Sequence, residues 1–171
     1  VCISSTNQIA LVDQGFRRVV LLDSSFNYLR EFGGSGTGDG QFGDAMGGCV
    51  FSGTSIYVSD GSTNPGNTTN HGYQKFDSSD GSFILSKRGK GVGDGQFYQA
   101  VGIGVDASGN VYVADWGNDR VQKFDSSGAY LLQFGSSGSG SGQMNQPLYL
   151  ELDSSGKVYV VDYANDRVQV F

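Results

Sequence analysis

The residues best suited to chemistry in this chain come as a set. Asp115, Asn118 and Arg120 lie within six positions of one another. They return 47 places on as Asp162, Asn165 and Arg167, and in part earlier as Asp13 and Arg18. A carboxylate, an amide and a guanidinium at this spacing could polarise a carbonyl or hold an anion. They could equally shape a turn and close an ion pair inside the fold. Recurrence favours the structural role, because a residue found at the same place in every copy of a repeat belongs to its frame. A residue found in one copy is freer to serve a ligand.

Trp116 is the only tryptophan, and Tyr163 takes its place in the next copy. Aromatic rings on adjacent loops can stack on a sugar or anchor a protein. With their loop neighbours Arg17, Asp119 and Asp166 they make the candidate binding set; the alternative is that each ring covers its own sheet edge. The polar stretch from Gly61 to Gly72, GSTNPGNTTNHG, holds Asn67-Thr68-Thr69, the one N-glycosylation pattern in the chain, since Pro65 disqualifies Asn64. His71 is the only histidine. It has no neighbouring cluster of metal-binding residues, so neither a metal centre nor a catalytic triad is expected. No nucleophile stands beside a base, no acid–base pair has a defined spacing, and no cofactor is implied. The glycine-rich stretches carrying Asp39 and Asp94 lack the Lys-Ser/Thr of a phosphate loop and the alternating carboxylates of a calcium loop.

Short strands must position these groups. Val111 to Asp115 is a β-branched and aromatic run, a polar turn follows, and Arg120 to Phe124 alternates polar with apolar. The stretch Asp106 to Phe124 matches Asp153 to Phe171 without a gap. Tyr130 to Gly135 supplies a further strand with a counterpart at Tyr28 to Gly33. Four strands joined by turns of two to six residues are an antiparallel meander, because parallel pairing needs longer crossovers. Glycine-rich connections, GGSGTGDGQF from Gly33, GKGVGDGQF from Gly89 and GSSGSGSGQM from Gly135, separate the units. The unit bounds are approximately 1–42, 43–97, 98–144 and 145–171, and the spacings at the first strand are 47, 55 and 47 residues. A four-stranded repeat of this length is the size of a β-propeller blade, whose two faces must both be covered by neighbours.

Composition narrows the partners. A formal charge of −6 and a pI near 4.5 oppose a phosphate backbone, so nucleic acid is not an expected partner. No apolar run reaches the length of a membrane span. Lys87, Arg88 and Lys90 form a small basic cluster, read as edge charges that discourage sheet pairing. Cys2 and Cys49 are read at one position in two adjacent blades, 47 residues apart. A disulfide would tie the blades together near the axis. Equivalent points on neighbouring inner strands lie near the limit of disulfide reach, so two buried free thiols are the expected state and the bond the alternative. Glu151, read at the same position in the fourth unit, is expected to face the central channel.

The run from Gly93 to Phe124, GDGQFYQAVGIGVDASGNVYVADWGNDRVQKF, resembles the NHL-repeat family of β-propellers. Their pattern is a glycine-rich loop ending G-D-G-Q-F, then P-x-G-[IV]-x-V-D, x-G-N-[VI]-Y-V-A-D and N-x-R-[IV]-Q-x-F. The likeness extends over the whole chain, with departures at Gly72, where the pattern has arginine, and at Phe16, where it has asparagine. It implies an all-β propeller of four-stranded antiparallel blades, present as three blades plus three strands of a fourth. The family usually closes a six-bladed ring, so a longer propeller or a repeat array is expected.

The expected function is a non-enzymatic binding or scaffold module that offers a propeller face to a protein or glycan. One alternative is a structural subunit of an extracellular, glycosylated array or filament that binds further copies of itself. A further alternative is a lyase- or lactonase-like propeller, as some relatives are. Secretion is the expected location, with a cytoplasmic multidomain protein as the alternative.

Overall fold

Each apolar run becomes a strand in the structure, a computed structural model that describes residues 1–43, 45–61, 66, 67 and 69–171. The strands are β1 (Cys2–Ile3), β2 (Ile9–Asp13), β3 (Arg18–Leu22), β4 (Tyr28–Gly33), β5 (Ala45–Ser52), β6 (Ser55–Gly61), β7 (Gly72–Asp77) and β8 (Phe83–Arg88). They continue as β9 (Ala100–Val105), β10 (Val111–Asp115), β11 (Arg120–Phe124), β12 (Tyr130–Phe134), β13 (Pro147–Leu152), β14 (Val158–Asp162) and β15 (Arg167–Val170). All pair antiparallel with their sequence neighbours, giving three four-stranded sheets and one three-stranded sheet, β13-β14-β15.

The second and third sheets are apolar on both faces because each is covered twice, whereas the first and fourth each pack on one neighbour in these clusters. Ala10, Val19 and Leu21 of the first blade meet Ile56, Val58 and Phe76 of the second. Tyr57 and Tyr73 meet Ile103, Val111, Val113 and Phe124 of the third. Tyr112, Ala114 and Val121 meet Leu150, Val158 and Val160 of the fourth. Each glycine-rich connection adds one fully buried plug to the junction it crosses, Phe42, Phe97 and Met144 in turn. The glutamine before each plug folds its own loop: the side-chain oxygens of Gln41, Gln96 and Gln143 accept the amides of Gly38, Gly93 and Gly140.

One register differs from the sequence reading. Blades one, three and four turn from first to second strand through longer loops, but β5 turns into β6 through Gly53 and Thr54 alone, with Ser52 opposite Ser55. That shortening places Cys49 opposite Val58, as Ile103 is opposite Val113, whereas Cys2 is opposite Ala10, as Gly104 is opposite Tyr112. The two cysteines are therefore one step apart in register, and Glu151, opposite Tyr159, matches Cys2. Side chains alternate between faces along a strand, so the offset turns Cys2 toward the second blade and Cys49 toward the first. Their Cα atoms are 5.7 Å apart and the two form a disulfide, in place of the expected free thiols.

Candidate functional site

The repeated aspartate, asparagine and arginine form a closed network in the third blade. Asp115 ends β10 fully buried, and its carboxylate accepts the Tyr98 amide at 2.7 Å, Asn118 Nδ2 at 2.8 Å and Arg120 Nε at 2.8 Å. Gln122 Nε2 adds a fourth donor at 3.2 Å. Asn118 also donates to the Gly91 carbonyl, and Arg120 Nη2 to those of Gly93 and Gln96, at 2.8–2.9 Å. The network thus fastens the turn after β10 to the glycine-rich connection before the blade. Burial pushes the Asp115 carboxyl above its ordinary value, and Asn118, the Tyr98 amide and Arg120 oppose that shift without reversing it.

The fourth blade repeats the arrangement with Asp162, Asn165, Arg167 and Gln169, and the Asn145 amide reaches Asp162 Oδ1 at 2.7 Å. Burial raises the Asp162 carboxyl as well, but there the Asn145 amide, Asn165 and Arg167 outweigh it and hold the group below its ordinary value. In the first blade Asp13 pairs with Arg18 at 3.2 Å, and Arg18 also reaches Glu31 at 2.7 Å. Phe16, in the place of the asparagine, lays its ring 5.0 Å from the Arg18 guanidinium.

The second blade solves the same problem differently. Asp60 accepts the Gly43 amide, Asn70 Nδ2 and Gln74 Nε2, and burial raises its carboxyl. Gly72 stands where the arginine belongs, and Arg88 of β8, directly opposite it, supplies the guanidinium. Arg88 Nη1 donates to the Gly38 carbonyl at 3.2 Å and Nη2 to Asp39 at 2.8 Å. Its side chain is buried, so it is an internal strut rather than an edge guard. The departure at Gly72 was the available signal, but the replacement is 16 residues away and visible only through strand pairing.

The candidate binding residues are dispersed. Trp116 and Tyr163 begin the short 3-10 turns Trp116–Asn118 and Tyr163–Asn165. Trp116 is partly buried, its amide held by the Gln99 carbonyl at 3.1 Å, while Tyr163 is 57% exposed. Tyr163 and Asp166 share a shallow depression of about 390 Å³ with Arg167 and Val168. Arg17 lies in a separate cleft of about 130 Å³ with Ser35, Thr37 and Asn67. Asp119 Oδ1 is engaged by the Gln146 amide at 2.8 Å, joining the third blade to the entry of the fourth. Arg17, Asp119 and Asp166 occupy one repeat position and share a left-handed backbone, with φ of 56°, 54° and 52°.

Asn67 caps its own loop: Oδ1 accepts the amides of Thr69 and Asn70, and Nδ2 donates to Asn70 Oδ1, all at 3.0 Å. Residues 62–65 and 68 of the insertion, Thr68 of the glycosylation pattern among them, lie outside the described residues. Glu151 lines a cavity of about 370 Å³ with Gly48, Cys49, Ile103, Tyr149 and Tyr159. No group of three or more His, Cys, Asp or Glu able to hold a metal ion occurs among the described residues. No helix there is long and apolar enough to cross a membrane.

Residues 97–124 match the NHL repeat. No curated protein matches the chain in sequence. Among solved structures, the chain is similar to a streptogramin B lyase, with a TM-score of 0.68 at 16% identity over 99% of this chain and 52% of that one. It is similar to a Bacteroides thetaiotaomicron protein of unknown function, with a TM-score of 0.71 at 18% identity over 99% and 46%. It is also similar to a chain of a nidogen/laminin complex, with a TM-score of 0.67 at 14% identity over 96% and 54%. The chain thus spans about half the length of the solved chains it matches, and identities this low carry fold alone. Residues 97–124 of the third blade thus carry an NHL repeat, and the chain as a whole has a β-propeller fold, with three four-stranded blades and one three-stranded blade among the described residues.

Proposed function

We propose that this chain is a non-enzymatic binding module that presents the loop face of a propeller to a protein or glycan. The observation that supports this reading is the contrast on that face. The recurring Asp115, Asn118 and Arg120 are closed into the blade, whereas Tyr163 and the cleft at Arg17 stay accessible to a partner. An accessible ring beside Asp166 and Arg167 suits stacking on a sugar or packing against a peptide side chain. The Cys2–Cys49 disulfide favours an oxidising compartment, hence secretion, where Asn67 is the glycosylation candidate. Glycan microarrays and a displayed peptide library test the reading. Binding that falls about tenfold in Tyr163→Ala and Arg17→Ala, with circular dichroism unchanged, supports it. Ligands that bind these variants as well as the parent chain refute it.

A second reading, assembly with further blades or copies, is favoured by one face of the fourth blade. Tyr159 and Val168 are exposed there, with Val170 beside them, while the third-blade counterparts of the first two, Tyr112 and Val121, are buried under the fourth blade. Sedimentation across a concentration series tests this, with self-association expected and a concentration-independent monomer ruling out pairing of copies.

A further inference from the structure

His71 occupies the place in the second blade that Asp119 occupies in the third, and it performs the same task with different chemistry. Asp119 Oδ1 accepts the amide of Gln146, the residue that leads into β13. His71 Nδ1 accepts the amide of Gln99, the residue that leads into β9, at 3.2 Å. Gln99 and Gln146 are equivalent and share a left-handed backbone, φ 68° and 58°. The other ring nitrogen, Nε2, lies 2.9 Å from the Asn67 carbonyl oxygen. A carbonyl can only accept, so Nε2 carries the proton and Nδ1 offers its lone pair to Gln99.

Three segments meet at this residue. Its ring is buried and lies nearly parallel to Tyr98, centroids 6.0 Å apart, and its own carbonyl accepts the Gly89 amide. A second proton would sit on Nδ1, turning the acceptor into a donor that faces the Gln99 amide in a buried site. Several charged groups near the latch already have partners among the described residues. The carboxylates of Asp60 and Asp115 are engaged by Asn70 and Gln74 and by Asn118 and Arg120, and Arg88 is engaged by Asp39. The Lys90 ammonium, 5.2 Å over the Tyr98 ring, opposes a cation there, and of the residues outside the described ones only Asp44 carries an ionisable side chain.

We propose that His71 is a pH-sensitive latch between the second blade and the entry of the third. The neutral ring closes it; the imidazolium opens it and frees the loop around Asn67 from Tyr98 and Gln99. The sign follows from the two states: the folded latch admits only the neutral ring, whereas the unfolded chain protonates in the ordinary imidazole range near about 6.5. The latch is complete above that range and is lost as pH falls below it. The Asp119–Gln146 contact is a built-in control, because a carboxyl group offers an acceptor oxygen whatever its protonation state.

Amide hydrogen exchange on the full chain tests this, with rates corrected for intrinsic pH dependence. Between about pH 7.5 and pH 5 the Gln99 amide should lose roughly tenfold or more of its protection, while Gln146 keeps its own. In His71→Asp, Gln99 should become as insensitive to pH as Gln146. Parallel pH curves for Gln99 and Gln146 in the parent chain would overturn the proposal without recourse to any variant. So would ring nitrogen shifts that place the proton of the neutral imidazole on Nδ1.

Discussion

Arg88 stands across the ladder from Gly72, and its guanidinium reaches the Gly38 carbonyl just as Arg120 reaches the equivalent Gly93 carbonyl one blade later. The exchange needs both partners. Gly72 has a φ of +154°, and a side chain there would run into the backbone of Lys87 and Arg88. Arg88→Ala should therefore destabilise the chain by about 1 kcal/mol, since it removes a buried guanidinium that holds the Gly38 carbonyl and Asp39. Restoring the family residue as Gly72→Arg should make matters worse, not better. Urea denaturation of both variants checks the pair of signs.

Removing the inter-blade bond should cost more. The Cys2–Cys49 link closes a separation of 47 residues, for which loop-closure entropy gives about 4 kcal/mol as an upper figure. Cys2→Ser should lower stability by about 2–4 kcal/mol, and a reductant should lower the melting temperature of the parent chain but not of the variant.

Carboxylates should titrate in two opposed groups. The Ser155 hydroxyl, with the backbone amides of Ser155 and Lys157 and the Tyr159 hydroxyl, holds Asp153 down to about 2. Because its folded value lies below its unfolded one, the stability it contributes is complete above the ordinary 3.8 and is lost as pH falls toward about 2. Asp60 and Asp115 are shifted upward by burial, so each favours the folded state more as pH drops. Carbon-13 titration should find Asp153 near 2 and both buried groups above 3.8. A single common midpoint would contradict it.

Truncating a plug should be severe. Phe97 is fully buried and its ring centroid lies 5.6 Å from that of Phe124, so Phe97→Ala should cost about 3–5 kcal/mol. Phe97→Leu, which keeps most of the volume, should cost visibly less in the same urea series.

The blades were readable because alternation and self-similarity are local signals: Val111 to Phe124 announces a turn between two strands without any knowledge of its neighbours. The division of Asp115, Asn118 and Arg120 from the loop aromatics was readable for the same reason, by comparing copies. What escaped depends on pairing across the sheet. Arg88 looked like an edge charge until β7 and β8 placed it against Gly72. His71 looked solitary because its partners, Asn67, Tyr98 and Gln99, come from an insertion and from the next blade. Alignment with Asp119 was the only available hint. The cysteine offset was hidden by a hairpin shorter than those of the other blades, which a comparison of strands alone absorbs as a gap.

That short hairpin gives the disulfide a second meaning. A slip of β5 by one residue against β6 would carry Cys49 to the far face of its sheet, away from Cys2. The thiols can meet only when Ser52 lies opposite Ser55, so oxidation reports correct strand registration and then makes it permanent. The bond is a covalent proofreader of the second blade as well as a tie to the first.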